Sequence, residues 1–270
     1  MTSVERLLGV LNLFTPQKPV WTLETIAAHV NFSRSSMYRC VRELTGSGFL
    51  VALGKGCFIL GPRIIELDRQ IRLCDPLLAA SREVMREASR DLPGGVLILS
   101  SLYGDRIICT HQEPEPPPLP VSYSRGRTLP LFTSSTSRVI LANLPQRTLV
   151  RIFLRDRAKI SAAGLGEEWD QFKRRLREIR RERLYVTRSA VDPGMLCTAS
   201  AIFAAPKSVI GALCFVESDL GQDVAVSVKE ILERATAEIS RGVNEILSRN
   251  APASASYVPA VPRLEEVAEA

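Results

Sequence analysis

The sequence predicts an α+β chain with two unlike halves. Before residue 45, apolar residues recur three times at helical spacing, and a glycine-flanked pair of short apolar runs follows. Beyond Gly94-Gly95 the pattern changes to strand-like runs interleaved with helical stretches, and a long amphipathic stretch closes it near Arg249. That alternation fits an antiparallel sheet with flanking helices.

The elements follow in order. Val4, Leu7, Leu8, Leu11 and Phe14 mark a first helix, which Pro16 and Pro19 end. Thr22 is the N-cap candidate of a second, with Leu23, Ile26, Ala27 and Val30 as its stripe. Asn31-Phe32 reads as a turn. Ser33 caps a third helix with Met37, Val41 and Leu44 inward, and Gly46 and Gly48 close it. The runs 49–51 and 58–60 flank Gly54-Lys55-Gly56, a hairpin tip. A helix with Ile64, Ile65, Leu67 and Ile71 follows, and after Pro76 another runs to about Leu92. Strands are expected at 96–102 and 106–111, then "EPEPPPLP" as a rigid loop, then helices at 134–144 and 146–154. Trp169, Phe172, Leu176 and Ile179 mark a further helix. Strands return at 184–191, 198–204 and 209–217, and the last helix spans 224–249. The resulting division is 1–62, a helical linker at 63–93, a sheet domain at 94–250, and a tail at 251–270 whose Ala/Pro/Ser-rich and acidic composition predicts disorder.

Composition narrows the chemistry. The chain has 270 residues, 46% hydrophobic and 24% charged, with a net charge of +6 that favours an anionic partner. No apolar h-region opens it and no stretch approaches a membrane span, so a cytoplasmic protein with no membrane partner is expected. The six cysteines are scattered, form no C-x-x-C and read as reduced thiols; histidine occurs only at His29 and His111. No metal site, cofactor or catalytic set is expected.

Three helices and a hairpin form the winged helix-turn-helix pattern, whose third helix lies in the major groove of DNA. Residues 31–63 carry Arg34, Arg39, Arg42, Lys55 and Arg63 against Glu43 alone, the excess that phosphate neutralisation needs. Ser33, Arg34, Ser35, Ser36, Tyr38, Arg39 and Arg42 avoid the apolar stripe, and with Lys55 at the wing tip they are the candidate DNA-binding residues. The denser basic run "FKRRLREIRRERL" (172–184) is read instead as the solvated face of an amphipathic helix. "TSSTS" (133–137) lacks a G-x-S-x-G frame; it reads as an N-cap cluster, with free N–H groups that suit an anion better than catalysis.

From Val4 to about Ser248 the chain resembles the IclR family of bacterial transcription regulators. The segments that carry the resemblance are "LETIAAHVNFSRSSMYRCVRELTGSGFL", "GCFILGPRIIEL", "GRTLPLFTSSTSRVILA" and "DPGMLCTASAIF", in that order. The resemblance implies an N-terminal winged helix that binds a double-stranded operator. It also implies a GAF-like C-terminal domain that senses a small organic acid, and assembly into dimers or dimers of dimers. It places the effector pocket near residues 126–142 and 192–203, with Leu129, Thr133, Ser134, Ser135, Cys197, Cys214 and Val216 as the candidate lining. The chain departs from the family pattern in the sensor half. Phe132 stands where histidine is usual, Ser137-Arg138 where Gly-Lys is usual, and Ser189-Ala190 where an acidic pair is usual.

Overall fold

A computed structural model of the chain describes residues 3–30, 33–104, 106–204 and 208–250. It forms two compact units, Met1–Asp75 and Pro76–Ala270.

In the first unit α1 (Ser3–Leu11) is followed by β1 (Trp21–Thr22), α2 (Leu23–His29), α3 (Arg34–Gly46), β2 (Leu50–Gly54), β3 (Cys57–Leu60) and α4 (Arg63–Cys74). The Thr22 and Thr25 side chains cap α2 reciprocally, which satisfies donors the helix leaves open. Ser33 caps α3 by accepting from Ser36 N. Met37, Val41 and Leu44 of α3 are buried with Ile26 of α2 and Val10 of α1, as their spacing predicts. The small sheet runs β1-β3-β2, all antiparallel. The two-residue β1 has no pattern of its own and was not expected. Trp21 anchors it: its indole donates to Lys18 O at 3.0 Å, and its ring meets His29 edge-on at 4.7 Å. Gly61 is required where the hairpin meets α4, since a Cβ there would sit 2.1 Å from Gly48 O. The expected turn at Asn31-Phe32 lies outside the described residues.

α1 ends at Leu11, before Phe14, and Val4 and Leu8 of its expected stripe are exposed. The span 63–93, expected as one linker, divides between the units. α4 stays with the first and buries none of its residues. α5 (Pro76–Asp91) joins the second, where Leu77, Leu78, Met85 and Ala88 enter the core.

The rest of the second unit is β4 (Val96–Tyr103), β5 (Arg106–Glu113), β6 (Thr128–Leu129), α6 (Ser135–Ala142), α7 (Gln146–Ala162), α8 (Trp169–Glu182), β7 (Leu184–Arg188), β8 (Met195–Ala204), β9 (Ser208–Ser218) and α9 (Val226–Asn250). The antiparallel sheet has the order β6-β5-β4-β9-β8-β7. Both faces are covered, so its central strands are near-continuous apolar runs rather than alternating ones. Val96 and Ile98 of β4 pack with residues of α6, α7 and α8, while Leu97 and Leu99 pack with those of α5 and α9. The α+β class is as the sequence predicts, with several differences of extent, among them β7, which stops at Arg188 rather than 191. α7 runs to Ala162 rather than 154. β8 begins at Met195 rather than 198, because Met195–Cys197 already pair with Ser218–Val216. The two-residue β6, paired to Ile107 and Ile108, is too short to show a period. The tail 251–270 lies outside the described residues.

Candidate functional site

In the first unit the outward face of α3 is built by exclusion. Met37, Cys40, Val41 and Leu44 take the buried side of α3, which leaves Ser35, Ser36, Tyr38, Arg39 and Arg42 exposed on the other. Tyr38 is 51% exposed and so offers a flat contact surface. Arg42 has a long contact to Glu43 at 3.4 Å between two exposed groups, too weak to hold it from another anion. Ser33 plays a structural part: its hydroxyl accepts from Ser36 N and donates to Ser36 Oγ at 2.8 Å. Arg34 opens α3, and its side chain lies outside the described atoms. Lys55 is exposed at the hairpin tip with φ 51°, a left-handed turn position between Gly54 and Gly56.

The second site is a small cavity between the sheet and the N-terminal end of α6. Of the residues expected to meet an effector, the cavity brings together Leu129, Ser134, Ser135, Cys197, Cys214 and Val216, and not Thr133. Ile98, Tyr123, Thr136, Thr187, Val191 and Asp192 complete the lining and were missed. Tyr123 and Asp192 come from loops that no periodicity describes, so their position was not legible. Thr187 could have been found from its register, since it pairs with Cys197.

The cavity is about 20 Å³, the room of one water. Ser134 has its hydroxyl engaged: it accepts from Ser137 N and donates to Ser137 Oγ at 2.8 Å. Ser135 Oγ lies 3.7 Å from Cys214 Sγ. The Cys197 thiol is pushed up by its hydrogen bond to Cys214 and by burial, so it stays protonated. Asp192 Oδ2 accepts from Ser122 N at 3.0 Å, which ties the loop before β8 to the loop before β6. Burial, and then the Asp192 charge, push the Tyr123 hydroxyl up to about 12. A wider cleft of about 350 Å³ lies between α8, β8 and α9, with Arg180, Arg183 and Ser240 among its lining; none of the expected residues faces it.

Two of the three departures in the sensor half have structural roles. Phe132 is buried in the core, Ser137 receives the Ser134 bond, and Arg138 braces three segments. On α8, Phe172, Leu176 and Ile179 are buried while Arg174, Arg177, Arg180 and Arg181 face outward. Among the described residues, no three His, Cys, Asp or Glu side chains gather to hold a metal, and no helix is long and apolar enough to cross a membrane.

The first unit is thus a DNA reader of the winged helix-turn-helix class, carried in one chain with a separate sheet domain. Residues 3–54 match the IclR helix-turn-helix domain, and residues 75–241 match the domain described as bacterial transcriptional regulator IclR C-terminal. The chain belongs to the IclR family of bacterial, DNA-binding transcription regulators. It is 23% identical over 214 residues to the Pca regulon regulatory protein of Pseudomonas putida, covering 79% of this chain and 73% of that one. To the HTH-type transcriptional regulator TtgV, also of Pseudomonas putida, it is 30% identical over 129 residues, 47% of this chain and 49% of that one. Solved structures share the fold. An IclR regulator of Alicyclobacillus acidocaldarius superposes with a TM-score of 0.71 at 21% identity, over 89% of this chain and 98% of that one. An IclR homolog of Microbacterium hydrocarbonoxydans, complexed with 4-hydroxybenzoate, superposes with 0.68 at 18% identity, over 90% and 100%.

Proposed function

We propose that this regulator reads its operator with α3 and the wing, and that a small organic acid in the α6 cavity changes operator affinity. The observation that supports the DNA half is the exposed Ser35, Ser36, Tyr38, Arg39 and Arg42 opposite a fully buried stripe. Phosphates position such a helix and base edges are read by its arginines.

The effector half rests on the cavity's place at a helix N-terminus, where free N–H groups suit a carboxylate. Ile98, Leu129, Cys214 and Val216 suit an apolar or aromatic body. A cavity of about 20 Å³ must open to admit such a ligand. Binding therefore selects a different arrangement of the lining, and that difference is what couples the site to DNA. The protein acts in the cytoplasm as a dimer, or as a pair of dimers. Val4 and Leu8 on α1, and Ile65, Ile71 and Leu73 on α4, are exposed apolar surface that a second copy would cover.

The small cavity and the engaged Ser134 hydroxyl also favour a second reading, a regulator whose operator binding ignores effectors. Footprinting on DNA near its own gene, with and without benzoates, tests both. Protection that no benzoate alters leaves the effector-blind regulator, and absence of protection removes the DNA reading.

A further inference from the structure

We infer that the wider cleft between α8, β8 and α9 is a second ligand site, which takes an apolar α-amino acid as its zwitterion.

The cleft exists because β7 begins late. Its first residue, Leu184, pairs with Ser200, while β8 continues to Ala204. The far end of β8 therefore has no strand on its β7 side, and the end of α8 with its C-cap Arg183 lines the space instead. α9 forms the other wall, where Phe203 N donates to Ser240 Oγ at 3.1 Å. The floor is satisfied from within: Thr236 Oγ1 donates to Leu232 O at 2.8 Å and lies 3.2 Å from Ser200 Oγ. The volume, about 350 Å³, suits a small organic molecule.

What the cleft leaves unmatched is charge. Arg180 and Arg183 line it from the end of α8, and Glu233 lines it from α9. Among the described residues none of these three charged ends has an ion-pair partner. Arg183 is also held at φ 58° and ψ −40°, a region that favours glycine. A glycine would end α8 there with less strain, so the backbone does not call for this side chain.

Opposite charges on the two walls fit a molecule that carries both. A carboxylate accepts from the forked donors of the two guanidiniums. An ammonium donates to Glu233. Ala201, Phe203 and Ala237 offer apolar surface to the body of the ligand. A plain acid is repelled by Glu233, and a plain amine by the arginines.

Titration calorimetry on the full chain tests this with L-leucine and L-phenylalanine. The controls are the analogues without the amine (4-methylpentanoate, 3-phenylpropanoate) and without the carboxylate (3-methylbutylamine, 2-phenylethylamine). One of the amino acids is expected to bind about tenfold tighter than either of its analogues, in line with charge-assisted hydrogen bonds at both ends. Glu233→Gln should bring that amino acid and its amine-free analogue within about threefold of each other. Arg180→Gln and Arg183→Gly should each weaken the amino acid at least tenfold, and the urea midpoint of Arg183→Gly should not fall, because its backbone strain is relieved. An acid bound in the α6 cavity would keep its affinity in both arginine variants, which tells the two sites apart. If neither amino acid binds, if the amine-free analogues bind as tightly, or if the preference survives Glu233→Gln, the inference is overturned and the α6 reading is untouched.

Discussion

Arg138 Nη1 donates to the Tyr185 hydroxyl at 2.8 Å, and the two residues join α6 to β7 across the edge of the cavity's fold. The same guanidinium donates through Nε to Phe132 O at 2.8 Å and through Nη2 to Ala163 O at 2.7 Å. One planar fork thus holds the segment entering α6, the end of α7 and the start of β7. Arg138→Ala removes all three bonds and leaves Tyr185, which is buried, without this donor. We expect a loss of about 2–3 kcal/mol in urea unfolding. Arg138→Lys should recover less than half, since an ammonium cannot span three acceptors in a plane. Unfolding followed by Trp169 fluorescence in a Trp21→Phe background measures it, and an unchanged midpoint in Arg138→Ala would show the fork to be idle.

The reading helix makes a separable prediction. Arg39→Ala should cost about 1–3 kcal/mol on the operator if the side chain meets a base edge, and much less on random duplex. Lys55→Ala at the wing tip should weaken both alike and flatten the salt dependence by about one unit of slope. Mobility shifts at several salt concentrations decide it. Equal effects of Arg39→Ala on operator and random DNA would reduce its role to a phosphate contact.

The basic face of α8 is expected to matter little for DNA. Its inward Phe172, Leu176 and Ile179 account for the helix, and outward charges are what remains of an amphipathic pattern. Reversing Arg174, Arg177 and Arg181 to Glu together should leave operator affinity within a few-fold. A loss as large as that of Arg39→Ala would reveal a second DNA surface.

These residues also show where the sequence is readable. Met37, Val41 and Leu44 recur at helical spacing, so the buried side of α3, and by subtraction its outward side, are legible from the order of residues alone. Cys197 and Val216 are legible for a related reason: both lie on long strands and are direct partners in register. Asp192 and Tyr123 are not. They reach the cavity because Ser122 N binds the Asp192 carboxylate, a contact between residues far apart in sequence that no local pattern encodes. Ser134 was legible as a cap, but the same geometry that makes it a cap commits its hydroxyl to Ser137 rather than to a ligand. α5 was readable as a helix, yet its membership of the second unit depends on Leu77 and Met85 finding the α9 side of the sheet, a tertiary fact.

Tyr123 gives the last prediction, in alkaline solution. Burial first, and the Asp192 charge second, push its hydroxyl from 10.0 up to about 12. Below pH 10 the side chain is protonated whether the chain is folded or not, so it adds no pH dependence. From 10 to about 12 the unfolded chain releases the proton while the folded chain keeps it. The unfolded state then binds fewer protons, and stability falls as pH rises through that window. Tyr123→Phe removes this contribution and should make the alkaline fall in urea midpoint shallower. The chain has five tyrosines, so the ultraviolet absorbance of ionised tyrosine offers a direct check: one step should come late, near 12, and be missing from Tyr123→Phe. If the variant lacks an early step instead, the hydroxyl is open to water and the wall formed by Tyr123 and Asp192 is not closed in solution.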